Sequence, residues 1–350
     1  MGKKGYFATL FVLLLLVFFL FPASSGEERF LVPQQVLDLQ TPGSLEFSRN
    51  SGRTFAFSLG RYFGYFTNDL DLSYAASSDF GVAIGDEAFI NYSKVPGILD
   101  IQDSLGEGRA IIETTGYPVI EQNRVVVLSE DYISLFDLDG NQFWKKEILS
   151  FVTSLSIIDD LVLIGFLDGS CELISDSGET VLNYRPGGSR IEAVYSVAVS
   201  PDGQTIALIS GLDPQRFVIL EKRKNEYKPV HHFELNFQYR RTVDMFFSSD
   251  SSKVFFENPQ GINVYNVMSQ ELKTIGGSGR LENIFVDEES GFFSMMLKEE
   301  NYAALRVLTP TNRSLLERDI PGEDFYFRKE GDNYYIGFNS KLMFLKMENL

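Results

Sequence analysis

The side chains able to carry chemistry are few, and their spacing narrows the options. The two histidines of the chain, His231 and His232, are adjacent. On a strand such neighbours project to opposite faces, which makes them a poor chelating pair. With a single cysteine besides, no zinc site of histidine or cysteine spacing can be written. Cys171 lies in an apolar alternation beside Asp168 and Glu172. Nothing there stabilises a thiolate, so the sequence predicts a buried, unreactive thiol. Asp137-Leu138-Asp139-Gly140-Asn141 has the acids of a calcium loop, but its glycine stands at the fourth place instead of the sixth, and Ile148 occupies the twelfth. It reads as a turn after a strand, as does Asn68-Asp69-Leu70-Asp71. No G-x-S-x-G elbow occurs. Gly276-Gly277-Ser278-Gly279 lacks a P-loop lysine, and Pro186-Gly187-Gly188-Ser189-Arg190 holds an equivalent place, so both read as loops. What remains is carboxylate chemistry. Glycoside-type hydrolysis needs two facing carboxylates, and the spacing of 48 acids does not say which converge. The expectation is no metal and no cofactor.

Those 48 acids face 31 Lys and Arg, a net charge of −17. A nucleic-acid partner, which needs a basic surface, is excluded as an expectation. One cysteine allows no internal disulfide, so the fold must stand on its apolar core. At the N-terminus, Lys3 and Lys4 precede an uncharged apolar run from Tyr6 to Phe21, and Pro22-Ala23-Ser24-Ser25-Gly26 follows. This is the signal-peptide pattern, with Ala23 and Ser25 at the small positions of a cleavage site. Cleavage after Ser25 leaves a charge of 29 − 48 = −19. The alternative is a retained hydrophobic helix, since Gly5 to Gly26 is 22 uncharged residues. The two lysines would then stay on the cytoplasmic side. Either way the remainder is expected outside the cytoplasm: periplasmic or secreted if cut, single-pass and membrane-tethered if not. Residues 26–43, with Pro33 and Pro42, read as a short tether, and residues 44–350 as one folded domain.

The elements that must position any site come from a repeat. In VAVSPDGQTIALIS (Val197–Ser210), two apolar runs flank the turn Ser200-Pro201-Asp202-Gly203, which predicts a hairpin. Echoes begin at Leu72, Tyr117, Leu155, Val243, Ile284 and Phe325. Their turn centres, near Asp79, Gln122, Asp160, Asp202, Asp250, Glu289 and Gly331, are 43, 38, 42, 48, 39 and 42 residues apart. A third apolar segment follows each hairpin and a weaker fourth leads to the next. Four short strands per repeat make the blade of a β-propeller, which buries its faces against two neighbours. The fold class expected is all-β, a single propeller of seven four-stranded blades after an N-terminal hydrophobic helix. Eight blades are the alternative, because Ser44 to Phe66 reads as another hairpin whose turn, near Asn50, falls only 29 residues before Asp79. A strand over Lys341 to Met347 is expected in the closing blade.

The repeat resembles the WD-repeat and quinoprotein-like propeller superfamily. Asp137 to Trp144 matches its D-x-x-G-x-x-x-W blade signature, which implies that Asp137, Gly140 and Trp144 dock one blade on the next. The following repeat has Gly178 but Leu182 at the tryptophan place, and no repeat shows the full glycine-histidine to tryptophan-aspartate pattern. A quinone-dependent dehydrogenase on this fold would need metal-binding acids and a stacking tryptophan, and the sole tryptophan is already committed to docking. The function expected is a non-catalytic scaffold that binds protein, with a carboxylate-based hydrolase at the central opening as the alternative. Tyr62, Phe63, Tyr65 and Phe66 are candidate contacts because aromatics anchor interfaces. Arg240-Arg241 is the one basic pair in an acidic body.

Overall fold

The alternating segments form thirty-one short strands in the computed structural model, which describes residues 29–40 and 53–349 apart from 278 and 288. They assemble into eight sheets, seven with four strands and one with three described strands. The blades in chain order are 54–77, 81–113, 117–147, 152–184, 191–234, 245–275, 280–321 and 325–349. The count is therefore eight, not the seven favoured by the spacing. The error lay at Leu72. Leu72–Ser77 is the last strand of blade 1 and Gly81–Ile84 the first of blade 2, so Asp79 sits in a blade-to-blade connection. The hairpin turn of blade 2 is at Gly85-Asp86-Glu87, a step of 122 − 86 = 36 residues before Gln122. With that shift, Asn50 is no longer out of step.

Eight apolar clusters fill the eight junctions between neighbouring blades, including the junction of blade 8 with blade 1. The period-two geometry of a strand feeds two junctions at once. Val125 and Val127 face blade 2, while Val126 faces blade 4. Ile206 and Leu208 face blade 4, while Ala207 and Ile209 face blade 6. Second strands such as Thr205–Leu212 and Phe293–Lys298 are almost wholly buried, whereas outermost strands such as Gln142–Glu147 alternate exposed with buried.

The ring closes through both ends of the chain. Arg29–Asp38, expected as part of a tether, is instead the outermost strand of blade 8, paired antiparallel from Arg29↔Asn349 to Asp38↔Lys341. Lys341–Asn349 thus lies between two strands of the closing blade. In blade 1, Thr54–Leu59 runs opposite to the first strands on either side. Arg53 lies beside Glu330, and the Phe57 ring beside Tyr326. Its three described strands therefore stand as second, third and fourth. The first arm of the hairpin expected from Ser44 lies outside the described residues, as does the apolar N-terminal segment. Among the described residues no helix is long and apolar enough to cross a membrane.

Candidate functional site

The direction of the strands gives the ring two distinct faces. Turns between first and second strands, and between third and fourth, lie on one, the turn face. Blade-to-blade connections and loops between second and third strands lie on the other, the loop face. Contacts between blades respect this division. On the turn face, Asn123 donates to Glu87 (2.7 Å), and the Asp202 amide to Ser251 Oγ (3.2 Å). On the loop face, the Tyr117 hydroxyl donates to the Lys94 carbonyl (2.7 Å).

The residues assigned to blade docking sit at a repeated device on the turn face. Asp137 accepts from the amides of Asp139 (2.9 Å) and Asn141 (2.8 Å). These bonds favour its ionised form and hold its carboxyl below the usual range, although desolvation opposes them. Gly140 has φ +78°, and a Cβ there would lie 3.0 Å from Ala110 of blade 2. Trp144 is buried among blade 3 and blade 4 side chains, with its Cβ 3.1 Å from where a Cβ on Gly178 would lie. Gly106 meets Tyr74 of blade 1 in the same way. The same turn, with a left-handed fourth residue and a register break in the adjoining pair of strands, recurs at Leu70, Gly106, Gly140, Gly178 and Asn312. The signature that fades in sequence after Trp144 is thus kept by the backbone. The expected inner-strand turn lies between Ile191–Val199 and Thr205–Leu212. Ser200 Oγ donates to Asp202 (2.6 Å) and accepts from the Thr205 amide (2.8 Å). Blade 6 repeats it at Ser248 and Asp250, where hydroxyl and amide donors lower the Asp250 carboxyl to about 2 against its desolvation.

Around the opening, Arg328 of blade 8 binds both oxygens of Asp86 of blade 2 (2.8 and 2.9 Å) and reaches Glu330 (3.0 Å). Its guanidinium lies over the Phe55 ring of blade 1, 4.4 Å from the centroid, so one cation ties three blades. The Tyr65 hydroxyl donates to the Gly85 carbonyl (2.9 Å) and that of Tyr326 to the Ala56 carbonyl (2.8 Å). Beside this web is a recess of ≈ 660 Å³ whose lining includes Arg53, Asp86, Glu87 and Glu121. Glu121 is exposed to solvent yet crowded by protein. Desolvation raises its carboxyl to about 7, while the hydrogen bond from the Ile157 backbone works against the rise. Among the described residues no three His, Cys, Asp or Glu side chains converge as a metal set.

Of fifteen exposed large hydrophobic residues among the described ones, nine lie on the loop face, two (Leu105 and Met268) on the turn face, and four on outermost strands. The loop-face group includes Phe80, Val95, Tyr117, Leu149, Phe151 and Leu167. Contiguous apolar exposure, unlike single scattered side chains, is a feature interaction surfaces share.

The candidate contacts named from sequence do not coincide with that group. Phe63, Tyr65 and Phe66 are buried in blade 1 and its junctions, and Tyr62 is half-buried beside them. They alternate into two junctions of the ring. Arg240 is exposed, but Arg241 holds the buried carboxylate of Glu257 (2.5 Å) and so serves the fold. Burial raises the Glu257 carboxyl and Arg241 opposes the rise. His231 packs on Phe233 with Nδ1 3.3 Å from the Tyr265 hydroxyl, while His232 is exposed. Cys171 is buried between blades 4 and 5, and its thiol is pushed up to about 12. The loop-face residues carried one signal that composition hides: single apolar residues inside loops, such as Leu149 and Val95, that no alternation explains.

A family profile described as "beta-propeller protein" matches residues 1–350. An uncharacterized protein of Treponema pallidum (strain Nichols) is 27% identical over 310 residues, 85% of this chain and 82% of that protein. Among solved structures, BamB from Moraxella catarrhalis is similar at a TM-score of 0.63 and 14% identity, over 91% of this chain and 100% of that one. The dihydro-heme d1 dehydrogenase NirN, in complex with DHE, is similar at 0.56 and 16% identity, over 75% of this chain and 60% of that one. At such identities these structures support the fold alone. With the family profile running through every blade, the chain belongs to the beta-propeller protein family.

Proposed function

We propose that this propeller is a non-catalytic scaffold that works outside the cytoplasm and binds protein through its loop face. The observation that carries the reading is the concentration of exposed apolar side chains on that face. The extracytoplasmic placement rests on the basic start, apolar run and small residues of positions 1–25. If the segment is retained, it also tethers the chain to a membrane. A photo-crosslinking residue at Leu149, compared with one at Met268 on the turn face, tests the reading in native cells. Discrete protein adducts should form from the loop-face position. Their absence from both positions would remove the scaffold reading.

Carboxylate hydrolysis at the opening remains the second reading because raised Glu121 and Asp86 line one recess. Two carboxyl groups lining one recess are what such chemistry uses. Against it, both Asp86 oxygens are engaged by Arg328, and the Ala56 amide donates to Oδ1 (3.1 Å). Asp86 so held serves the ring instead of a substrate.

A further inference from the structure

We infer that blades 2 to 4 form, on the loop face, a docking surface for a protein partner that presents apolar side chains beside lysine or arginine. The inference rests on the scaffold reading and commits it to one surface and one partner chemistry. Two fixed apolar patches lie on consecutive blades. In the first, the rings of Phe80, Tyr92 and Tyr117 pack with centroids 5.9, 6.4 and 6.0 Å apart, and the Tyr117 hydroxyl is pinned to the Lys94 carbonyl. Phe80 remains 51% exposed. In the second, Leu149 is 104% and Phe151 65% exposed. Their loop is held by bonds from the Leu167 amide to the Phe151 carbonyl (2.9 Å) and from the Asp168 amide to Ser150 Oγ (3.0 Å). The ring cluster of the first patch and the loop backbone of the second are held by these contacts, which lowers the entropy lost on binding.

The charge around them fixes the partner's sign. Loops 78–80, 93–97, 114–116, 129–131, 148–151, 167–170, 185–190 and 213–215 hold five acids and three bases. Two of these bases and three of these acids are already paired: Asp79 with Arg61 (3.1 Å), Asp168 with Arg185 (2.8 Å) and Asp213 with Arg190 (2.5 Å), which leaves two acids against Lys94. Glu130 and Asp131, between the two patches, have no salt bridge among the described residues. An apolar segment carrying Lys or Arg complements this rim. A lipid surface does not, because anionic headgroups would meet acids. The first described residue, Arg29, pairs with Asn349 on the turn face, opposite the proposed surface. A second copy would bring two acidic rims together.

The test is selection of a random phage-displayed peptide library on the full chain. The L149E/F151E variant and the turn-face variant Met268→Glu serve as comparisons, all at exposed positions. Enriched peptides should combine aromatic or aliphatic residues with Lys or Arg. Their calorimetric affinity should fall at least tenfold for L149E/F151E and stay unchanged for Met268→Glu. The inference is overturned by no enrichment, by acidic peptides, or by equal binding to L149E/F151E. It is also overturned if that variant abolishes flotation with phosphatidylglycerol vesicles or dimerisation in sedimentation. Peptides lost only with Met268→Glu would overturn this surface and leave the scaffold reading standing; failure of both crosslinking positions would remove the scaffold reading itself.

Discussion

Replacing Trp144 by alanine probes the junction of blades 3 and 4 directly. A buried tryptophan covers at most about 250 Å². At about 25 cal/mol/Å², that sets an upper bound near 6 kcal/mol. Partial collapse around the gap lowers the expectation to about 3–5 kcal/mol. The indole Nε1 finds no acceptor among the described residues, so removing this unpaired donor returns about 1 kcal/mol. The expectation is a net loss of about 3 kcal/mol. Trp144→Phe keeps most of the contact with Gly178 and deletes the unpaired N–H, so it should cost less than about 1 kcal/mol. Gly178→Ala places a methyl 3.1 Å from Trp144 Cβ at φ +79°, and the left-handed backbone alone costs about 1 kcal/mol. Urea unfolding followed by far-ultraviolet circular dichroism reads all three, since removal of the only tryptophan also removes the fluorescence probe. An alanine variant within about 0.5 kcal/mol of the parent, or a phenylalanine variant as damaged as alanine, would refute the docking argument.

Four further outcomes are expected. Glu121 holds its proton more tightly in the folded state than in the unfolded one, so its contribution is full below pH ~4.5 and declines as pH rises through about 7. Glu121→Gln should therefore remove part of the pH dependence in that window and raise stability at pH 8, read as melting midpoints across pH. Asp250 and Asp287 run the other way. Hydroxyl and amide donors lower both to about 2, so the stability they add is present above pH ~4 and is lost as pH falls towards 2. Cys171 should resist a thiol reagent at pH 8 and react only after unfolding in urea, because burial holds its thiol near 12; rapid labelling of the native chain would contradict that. Deletion of residues 29–38 should abolish cooperative unfolding, because Lys341–Asn349 would lose one of its two partner strands, along the pairing that closes the ring; an unchanged unfolding curve would show that closure lies elsewhere.

Strand pairing inside a blade was legible because alternation and turn residues are local properties. Six of the seven hairpins placed by pattern pair first with second strands; the one at Leu72 joins two blades instead. An alternating run before a turn looks alike whether its partner is in the same sheet or the next. The closing role of Arg29–Asp38 was hidden by Pro33, which sits at a register break on an edge where no hydrogen-bond donor is needed. Recurrence of the docking turn at Leu70 and Asn312 was invisible because the geometry tolerates leucine or asparagine in a left-handed position that a signature reserves for glycine. Burial of the aromatic run was hidden for a related reason. Tyr62, Phe63, Tyr65 and Phe66 drew attention as an aromatic run, but a run within a strand fills two junctions, whereas Leu149 and Phe151 stand in a loop where nothing covers them.

The claim that the loop face binds protein is tested most directly by hydrogen exchange of the full chain, alone and with the protein crosslinked at Leu149. The account predicts slowed exchange in loops 93–97, 148–151 and 167–170, with the turns at 85–87 and 267–270 unchanged. Protection confined to those turns, or none at all, would contradict it.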